Sequence, residues 1–414
     1  MELLPEIRAM NQELLDWYRQ LHRIPELELE LPQTVDFVSG QLTRLGVEHW
    51  VLPGSTGIIA LVGKGSGPVI GIRADMDALE VKEETGLPFA STNNRMHACG
   101  HDSHTAILLT VARFLKAHEE ELPGRVKLLF QTGEEVLRGA KHMIACGALE
   151  DPPVSRMLAL HAGSFCGDFP TGHLVLSEEI TFYSSDSIRI TVTGKGGHAA
   201  SPHLSVDPIV TAARIVEGLQ QLVSREVKPS IPAVVSITHI HAGAETYNVI
   251  PNQAVLMGGI RTVGPEMRTY LIRRAEEIAR GIGAAMGASV KFEVVDGCPA
   301  VINDRNTALT VYQSLEKLFP GEVHWMREAN GCSEDTSYYF ERVPGCFLFL
   351  ASIGRDGDGQ CYPHHHSKFR LDESVLWRGA AVLAQVALDL MSGGEKPGTG
   401  EINGESGGGS HEQN

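Results

Sequence analysis

The densest run of reactive side chains is Met96-His97-Ala98-Cys99-Gly100-His101-Asp102-Ser103-His104, which comes shortly after Arg73-Ala74-Asp75-Met76-Asp77. Thiol, imidazole and carboxylate gathered between glycine turns form a donor set that a divalent transition metal selects. Glu134 and Glu135 follow the apolar run Val126 to Phe130 in Gln131-Thr132-Gly133-Glu134-Glu135. Neighbours in near-extended chain point opposite ways, so one carboxylate can hold a metal while the other faces a water beside it. A Glu-Glu pair is common on solvated surface. This pair gains meaning from its place at the C-terminal end of a strand, where open α/β sheets keep their active sites. His161 ends another apolar run, in Leu158-Ala159-Leu160-His161-Ala162-Gly163. A lone histidine there reads as a core residue, but its position at the same edge as the other two motifs makes it a ligand candidate. Three consecutive imidazoles stand in Tyr362-Pro363-His364-His365-His366-Ser367-Lys368-Phe369, just beyond the apolar run Cys346 to Ala351. Gly194-Lys195-Gly196-Gly197-His198-Ala199 fits a loose phosphate fingerprint, yet Pro202 and His203 precede the helical pattern that starts at Val206. Its glycines therefore form a turn presenting His198, not a dinucleotide site.

These residues need a scaffold, and the hydrophobic periodicity supplies one. Leu3, Ile7, Met10, Leu14, Trp17, Tyr18 and Leu21 recur at helical spacing before Pro25, and a second helix is predicted from Thr34 to Leu45, ended by Gly46. Short apolar runs follow at 58–62, 69–73, 126–130 and 157–160, with helical patterns at 104–118 and 140–146. This alternation predicts an α/β layer with a mainly parallel sheet flanked by helices. From about residue 180 the order becomes strand 187–193, helix 206–223, strands 233–241 and 254–261, helix 265–285 and strand 290–294. That is a βαββαβ, ferredoxin-like unit. The expected organisation is a catalytic α/β domain in two parts, 1–180 and 297–391, interrupted by an inserted domain at 181–296. In the second part come a helix at 307–318, the strand at 346–351 and a closing helix at 372–391. The glycine-rich stretch 392–414 is predicted to be a disordered tail. It contains a G-x-S-x-G match at 404–408, without the strand and helix that a nucleophile elbow requires.

Composition narrows the function classes. The 414 residues carry 35 Lys+Arg against 51 Asp+Glu, a net charge of −16, which repels phosphate backbones and anionic lipid. Neither a nucleic-acid nor a membrane partner is expected. No apolar run approaches the ~18 to 20 residues of a membrane helix. Met1-Glu2-Leu3-Leu4-Pro5-Glu6 lacks the basic and apolar regions of a signal peptide, so the expected location is cytoplasmic. With 43% hydrophobic and 21% charged residues the chain can bury the cores of two domains. Its seven cysteines (99, 146, 166, 298, 332, 346 and 361) are scattered and none forms C-x-x-C. A disulfide framework, a zinc ribbon and a redox pair are excluded on that pattern.

The runs Met96 to Asp102, Gly133-Glu134-Glu135, Leu160-His161-Ala162-Gly163, Gly194 to Ala200, Asn248-Val249-Ile250-Pro251 and Ser333-Glu334-Asp335 together resemble the M20 metallopeptidase family. Within it the chain looks like the branch of N-acyl-amino-acid amidohydrolases, which includes hippurate hydrolases and hydrolases of indole-acetic-acid conjugates. The motifs keep the family's order from about residue 10 to 390. The resemblance implies two divalent metal ions, Zn2+ foremost and Mn2+, Co2+ or Ni2+ as alternatives, held by Cys99, His101, Glu135, His161 and one histidine of the 364–366 tract. The family's H-x-x-x-F spacing, counted back from Phe369, selects His365. His366 is the alternative, because Ser367 stands where related chains often have proline. Glu134 is implied as general base, and His198, offered by the lid domain or by a partner subunit, as oxyanion stabiliser. Asn248 and Arg261 are candidates for holding the substrate carboxylate, though both read equally as strand-end residues with ordinary partners. Asp75 and Asp77 are expected to orient the ligands. The implied activity is amide hydrolysis of N-acyl amino acids by a homodimer joined through the inserted domain. A dipeptidase or carboxypeptidase is the alternative, and a non-catalytic metal-binding interaction protein a remote one.

Overall fold

Four apolar segments form the centre of the main sheet because they are buried on both faces, as parallel strands covered by helices must be. They are Val69–Asp75, Arg125–Gln131, Arg156–Gly163 and Gly345–Ala351, all mutually parallel where they pair. In the computed structural model, which describes residues 2–54, 56–163 and 169–393, the sheet has eight strands. Their order is Glu48–Val51, Ile58–Val62, Arg125–Gln131, Val69–Asp75, Arg156–Gly163, Gly345–Ala351, Leu174–Leu176 and Val323–Trp325. The two strands at the first edge run antiparallel to their neighbours, as does Leu174–Leu176 against Gly345–Ala351. Helices His101–Ala117 and Leu376–Met391 pack on each other and against the sheet, and Asn11–His22 covers the first of them.

The small unit follows the expected βαββαβ order: Ser184–Thr193, Pro208–Gln221, Ala233–Ala242, Gln253–Thr262, Pro265–Ala285 and Ser289–Cys298. Its antiparallel sheet runs Ala233–Ala242, Gln253–Thr262, Ser184–Thr193, Ser289–Cys298. Alternate residues of Ser184–Thr193 are buried, and Ile188, Ile190 and Val192 meet Ile215, Leu219 and Leu271 in a core separate from that of the main sheet.

Two expectations need amendment. The opening helix is two helices, Leu3–Ala9 and Asn11–His22, because the Met10 N–H bonds to the Ile7 carbonyl (3.0 Å) and tightens one turn. Leu3, Ile7, Leu14, Trp17 and Leu21 are nevertheless all buried, so the periodicity still marks the core face. The statement that no apolar stretch reaches membrane length is corrected by Glu373–Met391, 19 residues long and apolar enough to cross a bilayer by length and composition. Here it is a core helix, with Ala380, Leu383, Ala384 and Ala387 buried in the main core. The tail at 394–414, with its G-x-S-x-G match, and Cys166 lie outside the described residues.

Candidate metal centre

Because the central strands are parallel, their C-terminal ends open on one edge, and each delivers a reactive side chain there. Asp75 ends one strand, Glu134 and Glu135 follow the end of the next, and His161 lies near the end of the third. Gly100, just before helix His101–Ala117, has φ +89, a left-handed conformation that glycine adopts without steric cost. This turn brings Cys99 and His101 to the same space. The Cys99 Sγ is 3.5 Å from His161 Nε2. The donor atoms of Cys99, His101 and His161 lie within 4.8 Å of one another, as do those of Cys99, Glu135 and His365, and those of His101, Glu134 and Glu135.

The three tract histidines separate clearly. His365 takes φ +67 and donates its backbone N–H to the Ala98 carbonyl (2.8 Å), which ties it to the Cys99 loop. Its Nε2 is 3.5 Å from a Glu135 oxygen. His366 is exposed, stacks on Tyr362 and accepts the Lys368 N–H, away from the cluster. His364 was not singled out by the spacing, yet its ring lies 5.2 Å from that of His161 and it lines the same cavity.

Asp77 and Asp75 do the orienting. The Asp77 carboxylate accepts the backbone N–H of Glu134 (3.1 Å) and of Glu135 (3.0 Å), fixing the turn after Gly133. Its carbonyl faces His101 Nδ1 at 2.9 Å. A carbonyl only accepts, so Nδ1 carries the proton and Nε2 is left to face the cluster. Asp75 takes the Nδ1–H of His104 (2.6 Å), whose Nε2 accepts the Ala162 N–H, so both nitrogens of His104 are committed to structure.

His101 Nε2 and Glu135 Oε1 are buried, have no hydrogen-bond partner and stand 3.9 Å apart. A buried polar group left unsatisfied costs ~1–3 kcal/mol, and a cation between these two atoms would satisfy both. Burial, with Glu135 and Glu134 nearby, pushes the Cys99 thiol well up. Burial, with Glu334 and Glu135 close, raises Glu134 strongly, and burial lifts Glu135 to about 7 despite the opposing charge of His101. Burial also disfavours the charged form of His161 and, more weakly, of His365. These shifts favour the protonated thiol and carboxyl, and a bound cation would reverse them by displacing the protons, as it does at metal sites. The donors present fit a divalent ion in number and chemistry.

Below the carboxylates lies a residue that the motifs did not mark as functional. Arg73, 2% exposed, donates to Asp75 (2.7 Å), Glu334 (3.2 Å), Asp335 (3.1 Å) and Gln131 (3.0 Å). It neutralises the acidic floor beside Glu134. Arg73→Met is expected to lower unfolding free energy by ~3–5 kcal/mol, because it strands buried carboxylates without a partner. An unchanged midpoint in chemical denaturation would contradict this role.

The cluster forms one wall of a cavity of about 380 Å³, and Arg261, Phe182 and Ser333 lie on the others. Arg261 donates to the Gly331 carbonyl (3.2 Å), the one hydrogen bond of its side chain among the described residues, so most of its fork is available to an occupant. His198 and Asn248 are not brought to this cavity. Both are exposed, and they share a two-stranded ladder, with Val249 opposite His198 and the Asn248 carbonyl accepting the Ala199 N–H (3.0 Å). Both lie on the small unit.

A mainly parallel α/β sheet with thiol, imidazole and carboxylate donors at its C-terminal edge, beside an antiparallel unit carrying a basic residue, defines a metallohydrolase. Residues 71–389 match the peptidase family M20/M25/M40, and the chain belongs to that family. It is 36% identical to N-acetylcysteine deacetylase from Bacillus subtilis (strain 168), over 93% of this chain and 98% of that one. It is 32% identical to IAA-amino acid hydrolase ILR1-like 5 from Arabidopsis thaliana, over 95% and 91% respectively. Among solved structures it resembles the Bacillus subtilis YXEP protein, described as a dinuclear metal binding peptidase, with TM-score 0.80, 33% identity and coverage of 93% and 99%. These likenesses place the chain in the amidohydrolase branch of the family.

Proposed function

We propose that the protein is a two-metal amidohydrolase that cleaves N-acyl amino acids to a carboxylic acid and an amino acid. The observation that carries this reading is the convergence of Cys99, His101, Glu135, His161 and His365 around Glu134 on one wall of a cavity whose other wall offers Arg261. The names of the relatives, hydrolases of N-acyl or indolyl-acyl amino acids, support the same substrate class. When bound, the two ions polarise the amide carbonyl and acidify a water. Zn2+ suits the Cys/His/Glu set best, and Mn2+, Co2+ and Ni2+ are compatible with it.

The chain's residues carry the remaining steps. Glu134 takes the proton of the attacking water on its carboxylate and passes it to the leaving nitrogen, as general base and then general acid. Its raised pKa helps the second half of that cycle, because a carboxyl that resists ionisation gives its proton to an amine only when the amine becomes basic. Asp77 fixes the backbone of Glu134 and Glu135 in one turn, and both carboxylates reach the cluster, so that one serves the proton and the other the metal. Arg261 holds the substrate carboxylate, and Asn248 and His198, which lie outside the cavity, join it when the small unit closes or from a second chain, Asn248 on the carboxylate and His198 donating to the developing oxyanion. A homodimer through the small unit fits its exposed edge strand Ala233–Ala242, which presents Val234 and Ile240 to solvent.

Cys99→Ala is expected to cut bound metal below two ions per chain, as measured by elemental analysis, since a thiolate that faces both donor groups is lost. Two tightly held ions in that variant would remove Cys99 from the ligand set. The function itself is tested by stripping metal with a chelator. Hydrolysis of N-acetyl-methionine is expected to vanish and to return on adding back two equivalents of divalent ion. Activity that persists in verified metal-free protein would overturn the reading.

A further inference from the structure

A second cavity, about 310 Å³, lies where the small unit meets the main one. That volume is in the range of small-ligand sites. One wall is the start of helix Pro265–Ala285, with Arg268 and Ile272 on one face. The other includes Ile302, Ser337, Phe340 and Glu341. Ile272, Ile302 and Phe340 make an apolar surface, and Ile302 keeps 37% of its area exposed. Ser337 is fully buried, yet its hydroxyl has no hydrogen-bond partner. Arg268 clips onto Asp186 through Nε (2.9 Å) and Nη2 (2.8 Å), which leaves Nη1 without a partner among the described residues. Glu341 is exposed and makes no ion pair among the described residues.

An apolar surface with an anion-seeking end and a carboxylate at its rim complements a small zwitterion with a hydrophobic body. We propose that this cavity binds an apolar α-amino acid. Ser337 and Arg268 take its carboxylate, Glu341 its ammonium, and the three apolar residues its side chain. The position links it to the first cavity on both sides. Ser337–Phe340 starts two residues after Asp335, which Arg73 and Gln131 hold at 3.1 and 2.7 Å. Asp186 adjoins Ser185, which lines the catalytic cavity. An occupant therefore touches both units and sets the angle at which Arg261 faces the metal cluster. On the proposed function such an amino acid is also the reaction product, so the site would let product adjust KM. The binding itself does not depend on that reading.

The test is calorimetric titration of L-leucine into the metal-loaded full chain and two variants. Ile302→Trp fills the cavity, and the exposed Glu341→Gln removes the ammonium partner while leaving the fold alone. Each is expected to weaken leucine binding by at least about tenfold, the scale of a charge-assisted hydrogen bond for Glu341→Gln, whose hydrolysis in the absence of leucine should be unchanged. The deaminated analogue 4-methylpentanoate should bind wild type correspondingly weakly and lose nothing further in Glu341→Gln. No leucine binding, or equal leucine affinity in wild type and both variants, would overturn the proposal and assign any bound leucine to the catalytic cavity. Leucine binding of the expected pattern in a protein that hydrolyses no N-acyl amino acid would keep this site and reject the proposed function.

Discussion

Glu134→Gln is expected to lower kcat by at least ~10²-fold while metal content and unfolding midpoint stay unchanged. The residue is 7% exposed and its backbone N–H is held by Asp77, so an amide of the same shape keeps the geometry and loses only the proton acceptor. Stability should not suffer. Burial and the neighbouring Glu334 and Glu135 already disfavour a charge at this position, so a neutral amide of the same shape adds no electrostatic cost. Steady-state kinetics with elemental analysis reads the result. A near-normal kcat would transfer the role of base elsewhere.

The second large effect is that of His198→Ala, expected to lower kcat by roughly 10²- to 10³-fold with metal retained and KM less affected. A group that meets the oxyanion only in the transition state shows this split. The structure makes the delivery testable, because His198 is exposed on the small unit and does not line the catalytic cavity. It reaches the metal cluster only when the small unit closes or when a second chain supplies it. Mixed dimers of His198→Ala with Glu134→Gln contain one site with both groups intact if the histidine comes from the partner, and activity should partly return. No recovery despite proven subunit exchange would leave closure of the chain's own small unit. Unchanged kcat in His198→Ala would make it an ordinary turn residue.

What could be read in advance follows from how each feature is encoded. Strands such as Ile58–Val62 are legible because a segment covered on both faces must be apolar throughout. The same criterion stops short at Arg73, where the strand runs on to Asp75, because the last turns of chain face a polar site. Glu48–Val51, Leu174–Leu176 and Val323–Trp325 are too short for any periodicity to register. The ligand candidates are local in sequence and declare themselves by type, whereas the Arg73 network joins residues 261 and 262 positions apart. No spacing rule finds such a pair. His365 and His366 differ in role through a single left-handed φ, which the residue types do not encode. Phe369 spacing pointed to His365, and the geometry sets that residue, not its neighbour, beside Cys99 and Glu135.

On the proposed function, the metal cluster and Arg261 together select an N-acyl amino acid. The most direct measurement is a mass-spectrometric screen in matched pairs, the acetyl, benzoyl and indolyl-acetyl conjugates of an amino acid set against its aminoacyl conjugates, with each metal in turn. We expect an acyl conjugate to be cleaved with the higher kcat/KM, releasing the free amino acid and the acid in equal amounts. Preferred cleavage of aminoacyl conjugates would make the protein a dipeptidase, and no turnover of any conjugate by fully metal-loaded protein would contradict the account.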